Sequence, residues 1–397
     1  MSNRTRFLSL LTYFYIVIFS LQLYSQTDKY FTTPVDKFAH VIVSYSLDLQ
    51  PNETLLIETT TLPKELCLSV YREAIRAGAH PYIACEIPGA NEIFLQTAND
   101  SQLTYVSPVY RFMYEHFDAR LYIHSPANTK SLSSIDSKRI RIANKAFMDK
   151  AKRMYYDRIE SQQMKWCYTS YPTQALAQEA DMGLEEYRAF VLESCKLNES
   201  NPIESWKRES EQQQKWIEWL NGKDQIVLRG PNIDMRMSIK GRTFLKDFGK
   251  ENFPGGEIAT SPVENTVNGW VSFSYPAIYK GREVIDVELW FENGIVVKEK
   301  ATKGQEFLTE LLNSDTGARI LGELGIGTNY GIKRFTKNML FDEKMGGTIH
   351  LALGLGFPEC GGKNKSAIHW DMLCDMSEGE ILVDGEVFYK NGKFVKY

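Results

Sequence analysis

Histidine and carboxylate gather in one stretch near the C-terminus. Residues 341–375 read FDEKMGGTIHLALGLGFPECGGKNKSAIHWDMLCD and hold two of the six histidines, His350 and His369, with Asp371 two places after the second. Residues 348–353 are β-branched and apolar and predict a strand, as do residues 368–372. On a strand, residues i and i+2 share a face, so His369 and Asp371 can reach one point. The glycine- and proline-punctuated residues 354–364 let the chain reverse between the two strands. Imidazole and carboxylate converging on one point suit zinc, iron or cobalt. For an isolated pair the plainer reading, a histidine satisfied by a neighbouring carboxylate, has the greater weight. Two more acids shift the balance. Glu257 follows the Pro254-Gly255-Gly256 turn, and Glu323 sits in LGELGIG, residues 321–327. Acids in apolar, glycine-flanked settings are seldom buried without a partner or a metal.

The elements that must position these groups fall into two textures. In the first, residues 35–49 carry apolar side chains at helical spacing and residues 55–59 form a strand. Residues 63–79 form a helix opened by Pro63 and closed near Gly78. Residues 82–85 and 119–124 are strands. Strands alternating with helices predict a parallel sheet covered by helices. Residues 136–163, with acids and bases balanced, read as a solvated surface helix. Residues 165–171 return to strand, and 173–197 and 203–221 read as helices. The last carries Trp206, Trp216 and Trp219, a stripe expected in a core or an interface. The second texture begins after Asn221-Gly222-Lys223-Asp224. Short strands follow at 226–228, 235–239, 269–275, 284–291 and 295–299, with one helix at 304–314. Asn293-Gly294 is a hairpin signal. The expected fold is therefore an α/β N-terminal domain with a mostly parallel sheet, residues 29–223. An α+β C-terminal domain rich in antiparallel strands, residues 224–397, carries the metal site.

Composition narrows the partners. The chain of 397 residues has a net charge of −4 and a pI near 6.0, with no long like-charge run. That balance gives no electrostatic ground for nucleic acid or an acidic membrane as a partner. The six cysteines form no CxxC pair and read as unpaired, mostly buried thiols, which favours a reducing compartment. The N-terminus points the other way. Arg4 and Arg6 precede an uncharged run over residues 7–26, a pattern expected of a secretory leader. Residues 1–26 are set apart from the fold on that reading. The protein is then exported, periplasmic or secreted, with no stable membrane association once the leader is removed.

In order along the chain, the segments FPGGE, TSPVENTVNG, GELGIGTN, DEKMGGTIHLALG, GGKNKSAIHWDM and VDGEVFYKNGKF resemble the thermophilic-type metalloaminopeptidases, the M29 or aminopeptidase S/T family. The resemblance runs from about Lys29 to the C-terminus. It implies a dinuclear site holding two divalent ions (zinc, cobalt or magnesium). The implied ligands are Glu257, Glu323, His350, His369 and Asp371, with Glu343 of the DEK motif as a further one. It also implies release of the N-terminal residue from peptides with a free N-terminus by a metal-bound hydroxide; among the ligand set, Glu323 is the hypothesised catalytic residue nearest the nucleophile. A homodimer and, against the leader, a cytoplasmic location are implied as well. One position departs from the family. A tyrosine counted as catalytic is usual seven residues after the first histidine, and here Phe357 stands there. Phenylalanine donates no hydrogen bond.

Two other readings compete. His350, His369 and Asp371 alone would make the two-histidine, one-carboxylate set of a mononuclear non-haem iron, ring-cleaving dioxygenase. Glu257 and Glu323 would then be superfluous. A binding protein with weakened catalysis would account for Phe357 but not for the full ligand set. The sequence contains no Gly-x-Ser-x-Gly elbow, no His-Glu-x-x-His helix and no glycine-rich nucleotide loop.

Overall fold

The structure, a computed structural model, describes residues 33–397; the leader-like residues 1–26 lie outside it. The first half is built on a five-stranded parallel sheet. Its order is His80–Glu86, Thr54–Thr60, Ala119–His124, Lys165–Ser170 and Asn252–Phe253. Leu55, Leu56 and Ile57 are all buried, as expected of a strand covered on both faces by helices. The Pro34–Val41 helix starts where Thr33 accepts a hydrogen bond from the Asp36 amide, with Pro34 at the first helical position.

Two helical expectations change in detail. Residues 173–197 form two helices, Gln174–Glu179 and Leu184–Ser194. The break falls at Asp181, whose φ of 54° no helix continues through. Residues 136–163 form helices Ser137–Phe147 and Arg153–Glu160 joined by a π turn, Met148–Lys152. Ala146, Ala151 and Tyr155 on that stretch are buried, so one face packs and only the rest is solvated. On the Pro202–Leu220 helix, Trp206 and Trp216 are core residues and Trp219 stacks on Phe388 at 5.0 Å.

The second half contains two large antiparallel sheets and a two-stranded antiparallel ribbon, Ala277–Tyr279 with Arg282–Val284. The larger has eight strands, from Ile295–Lys300 and Glu288–Glu292 through Asn268–Ser272, Ile233–Ser238, Gln225–Gly230 and Glu380–Val383 to Glu386–Lys390 and Lys393–Phe394. Asn293 and Gly294 make the tight turn between its first two strands with φ of 50° and 86°. A Cβ on Gly294 would lie 1.7 Å from the Glu264 carbonyl oxygen, so only glycine fits. The smaller sheet has five strands in the order His369–Asp375, Thr348–Gly354, Leu321–Gly327, Glu257–Thr260 and Leu245–Asp247. One face of each sheet feeds a common core that includes Leu324, Ile349, Leu351 and Met372 from the smaller sheet and Leu228, Met235 and Leu289 from the larger.

The halves interlock. Phe253, on the last strand of the parallel sheet, lies fully buried between Phe38 at 5.4 Å and Trp206 at 5.7 Å. Four residues later the same segment enters the smaller antiparallel sheet as Glu257. The backbone that closes one sheet thus delivers an acid to the other.

Candidate metal centre

Four adjacent strands of the smaller sheet each carry part of one cluster. Side chains alternate across a strand, so Leu324, Ile326, Ile349 and Leu351 go to the core. Glu323, Gly325 and Gly327, then His350, Ala352 and Gly354, then His369 and Asp371, go to the other face. The register sets their neighbours: Ala352 is opposite both Glu323 and Asp371, His350 is opposite Gly325, and Glu257 is opposite Gly327. A bulge between Leu321 and Glu323 lets Leu321 enter the core while Glu323 takes the cluster face. Between the functional side chains the face is paved with glycine and alanine. The need is steric at Gly325, where a Cβ would lie 2.0 Å from the His350 ring.

The five residues Glu257, Glu323, His350, His369 and Asp371 meet. His350 Nε2 lies 3.4 Å from Glu257 Oε2 and 3.4 Å from Glu323 Oε1. His369 Nε2 lies 3.0 Å from Glu323 Oε2 and 3.5 Å from Asp371 Oδ1. Glu323 therefore gives one oxygen to each imidazole. Glu323, His350 and Asp371 bring donor atoms within 4.8 Å of one another. His369 Nδ1 donates to the Leu355 carbonyl at 2.9 Å, which fixes the ring and turns Nε2 toward the cluster. Glu343 stands one step away: it pairs with Lys344, and Lys344 Nζ reaches Glu257 Oε1 at 3.2 Å.

The donors fit a cation. Glu257 Oε2 and Asp371 Oδ1 are buried and have only the imidazole contacts above, at 3.4 and 3.5 Å, with no hydrogen bond among the described residues. Buried polar atoms without partners are rare in folded proteins, and a metal is one reason for them. The titration behaviour agrees. Burial, reinforced by Glu343, pushes the Glu257 carboxyl up to about 8 although Lys344 and His350 pull the other way. Burial also raises Glu343. Asp371, despite burial, is held at about 2 by His369. Burial opposes charge on both imidazoles, yet Glu323 and Glu257 lift His350 to about 10, and Asp371 and Glu323 lift His369 to about 12. Without a metal the two rings act as the counter-cations. A metal would displace those protons, because only neutral imidazole is a ligand.

A cavity of about 460 Å³ reaches Glu343, the acid one step from the cluster. His124 and Tyr168 from the parallel sheet, and Lys337 and Asn338 from the second half, line it. It lies beyond the carboxyl ends of the parallel strands, where open α/β sheets bind ligands.

The family model described as thermophilic metalloprotease (M29) matches residues 31–394. The chain belongs to this family. The metalloprotease is 27% identical to Aminopeptidase 2 of Geobacillus stearothermophilus, over 90% of this chain and 95% of that one. It is 28% identical to Aminopeptidase AmpS of Bacillus subtilis strain 168, over 68% and 74%. Among solved structures it shares the fold of wild-type AmpT from Thermus thermophilus, with a TM-score of 0.79, 22% identity, and 91% and 99% of the two chains covered. A 2,5-dihydroxypyridine dioxygenase from Pseudomonas putida KT2440 has a related fold, with a TM-score of 0.54, 13% identity, and 92% and 97% covered.

Three features of the metalloprotease's site escape a reading of the sequence. Lys344 is fully buried among Asp247, Glu257 and Glu343, and Asp247 is far from it in the chain. Gly325 is needed under His350, and its only sequence signal is the recurrence of glycine through LGELGIG. His124 reaches the cavity from the other half. Phe357 does stand at the site, its ring centroid 5.1 Å from that of His369. Gly325→Ala is expected to displace the His350 ring and weaken Co(II) binding about tenfold or more, with the circular dichroism spectrum unchanged. Titration of the metal-free variant checks this; wild-type affinity would show that His350 has room to spare.

Proposed function

We propose that this metalloprotease removes single residues from the N-termini of peptides, with two divalent cations at the Glu257, Glu323, His350, His369 and Asp371 cluster. The observation that carries the reading is the division of Glu323. Its two oxygens face two imidazoles, and each imidazole has a second carboxylate beside it, Glu257 for His350 and Asp371 for His369. That is the donor set of two positions sharing one bridging acid. Charge supports it. With all five acids ionised, as metal binding requires, Asp247, Glu257 and Glu343 around Lys344 together with Glu323 and Asp371 leave four negative charges when the imidazoles are neutral. Two dications balance them before any water is counted. A single iron on His350, His369 and Asp371 would leave Glu323 buried with no cation of its own and Glu257 with Lys344 alone, at a cost. The dioxygenase reading therefore ranks second.

Bound dications would supply a water acidified to near-neutral pKa and would polarise the scissile carbonyl. The protein's own groups do the rest. Burial alone would raise Glu323, but hydrogen bonds from His350 and His369 hold it below its ordinary range. That holds for the metal-free site; with the imidazole protons displaced by metal, Glu323 is assigned the water's proton by its place between the two imidazoles, nearest the reacting water. Glu343 keeps one oxygen on Lys344 and has the other for a cation, either a metal or the substrate's ammonium. The rest of the peptide occupies the cavity along His124 and Tyr168. The homodimer belongs to the same reading. The first half exposes Ile87, Ile93, Tyr105, Val109 and Phe112, apolar surface that a second copy would cover, and sedimentation tests it. Export belongs here too and is tested by sequencing the mature N-terminus.

A peptide with a free amine should be cleaved and its N-acetylated form should not. Glu323→Gln should lower kcat about a hundredfold or more, and full rate with both metals retained would remove Glu323 from the proton-transfer role. Phe357→Tyr restores a hydroxyl beside His369 and should raise kcat about tenfold or more; an unchanged kcat would mean that another donor serves the developing oxyanion.

A further inference from the structure

Lys344 lies on the turn between the Met339–Asp342 helix and the Thr348–Gly354 strand and is fully buried. An ammonium in such a place is costly unless paired. Its Nζ is 3.2 Å from Asp247 Oδ2 and 3.2 Å from Glu257 Oε1, and it also pairs with Glu343. Glu257 is thereby divided. Oε1 faces Lys344, and Oε2 faces His350 Nε2 at 3.4 Å. The other side of the cluster differs. Glu323 Oε2 and Asp371 Oδ1 face His369 at 3.0 and 3.5 Å, and no lysine or arginine pairs with either acid among the described residues.

We propose that Lys344 is a positioning residue that makes the two cation positions unequal. It holds one oxygen of Glu257 and places a fixed positive charge one carboxylate away from the position at Glu257 and His350. At the position by His369 and Asp371, Asp371 is shared with no lysine or arginine among the described residues, and the Lys344 ammonium, which pairs with Asp247, Glu257 and Glu343, acts there only without a direct pair. Like charges repel strongly where water is excluded. The Glu257 side is therefore the weak, exchangeable position and the Asp371 side the tight one. Lys344 also serves as the standing counter-ion that keeps Asp247, Glu257 and Glu343 together before metal arrives. The inference rests on the two-cation reading above.

The test is titration of Co(II) into metal-free, full-length protein, followed by heat and by visible absorption. The wild type should bind two ions in separate steps. In Lys344→Met the weaker step should tighten about tenfold or more while the tighter step stays put. The metal-free variant should also melt at a lower temperature. Lys344→Arg keeps the charge and should keep the separation. Asp247→Asn leaves Lys344 more fully to Glu257 and should weaken the weaker step further, so it carries the test by itself if Lys344→Met does not fold without metal. Steps unmoved in both variants, or both steps weakening by the same factor as in a general structural loss, would overturn the assignment. A wild type that binds a single Co(II) per chain would overturn the two-cation reading itself, which is a different result.

Discussion

The site side of this fold depends on a surplus of buried negative charge on one sheet face. Four carboxylates and two imidazoles share that face and its rim, and one of the acids, Glu323, is almost wholly shielded from water. A protein core tolerates such a surplus only if cations compensate it. Lys344 supplies one positive charge, the imidazoles can supply others when protonated, and a bound metal would supply the remainder. The surrounding architecture serves that arrangement. Glycine and alanine pave the face so that rings and carboxylates can lie down on it. The core side of the same strands is mostly aliphatic and aromatic packing, which fixes the register and hence the distances.

The parallel sheet contributes by a different route. It supplies no ligand to the cluster, but its carboxyl ends, through His124 and Tyr168, form a wall of the cavity that meets Glu343. Phe253 ties that sheet to the strand carrying Glu257 within four residues. The cavity wall and the candidate metal cluster are thus held in one packed unit.

Much of this was legible in the sequence. The strand at 119–124 begins and ends where alternation places it. The strands bearing His350, His369 and Asp371 were legible because β-branched and apolar residues recur at every second position around them. The strand bearing Glu323 was less so: in Leu321–Gly327 three glycines replace the side chains that would show alternation, and the bulge shifts the phase. The Glu257 strand is four residues long, too short for a period to appear. The turn at Asp181 depends on a left-handed residue that composition does not announce. Lys344 lies within the DEK motif, yet the sequence shows no role for it, because its partners Asp247 and Glu257 are brought to it by strand order, which is tertiary information.

The measurement that tests the central claim most directly is anomalous diffraction at the cobalt edge from crystals grown with Co(II). The account predicts two peaks bridged by Glu323, one beside Glu257 and His350 and one beside His369 and Asp371. A single peak held by His350, His369 and Asp371, with Glu257 turned away from it, would contradict the account.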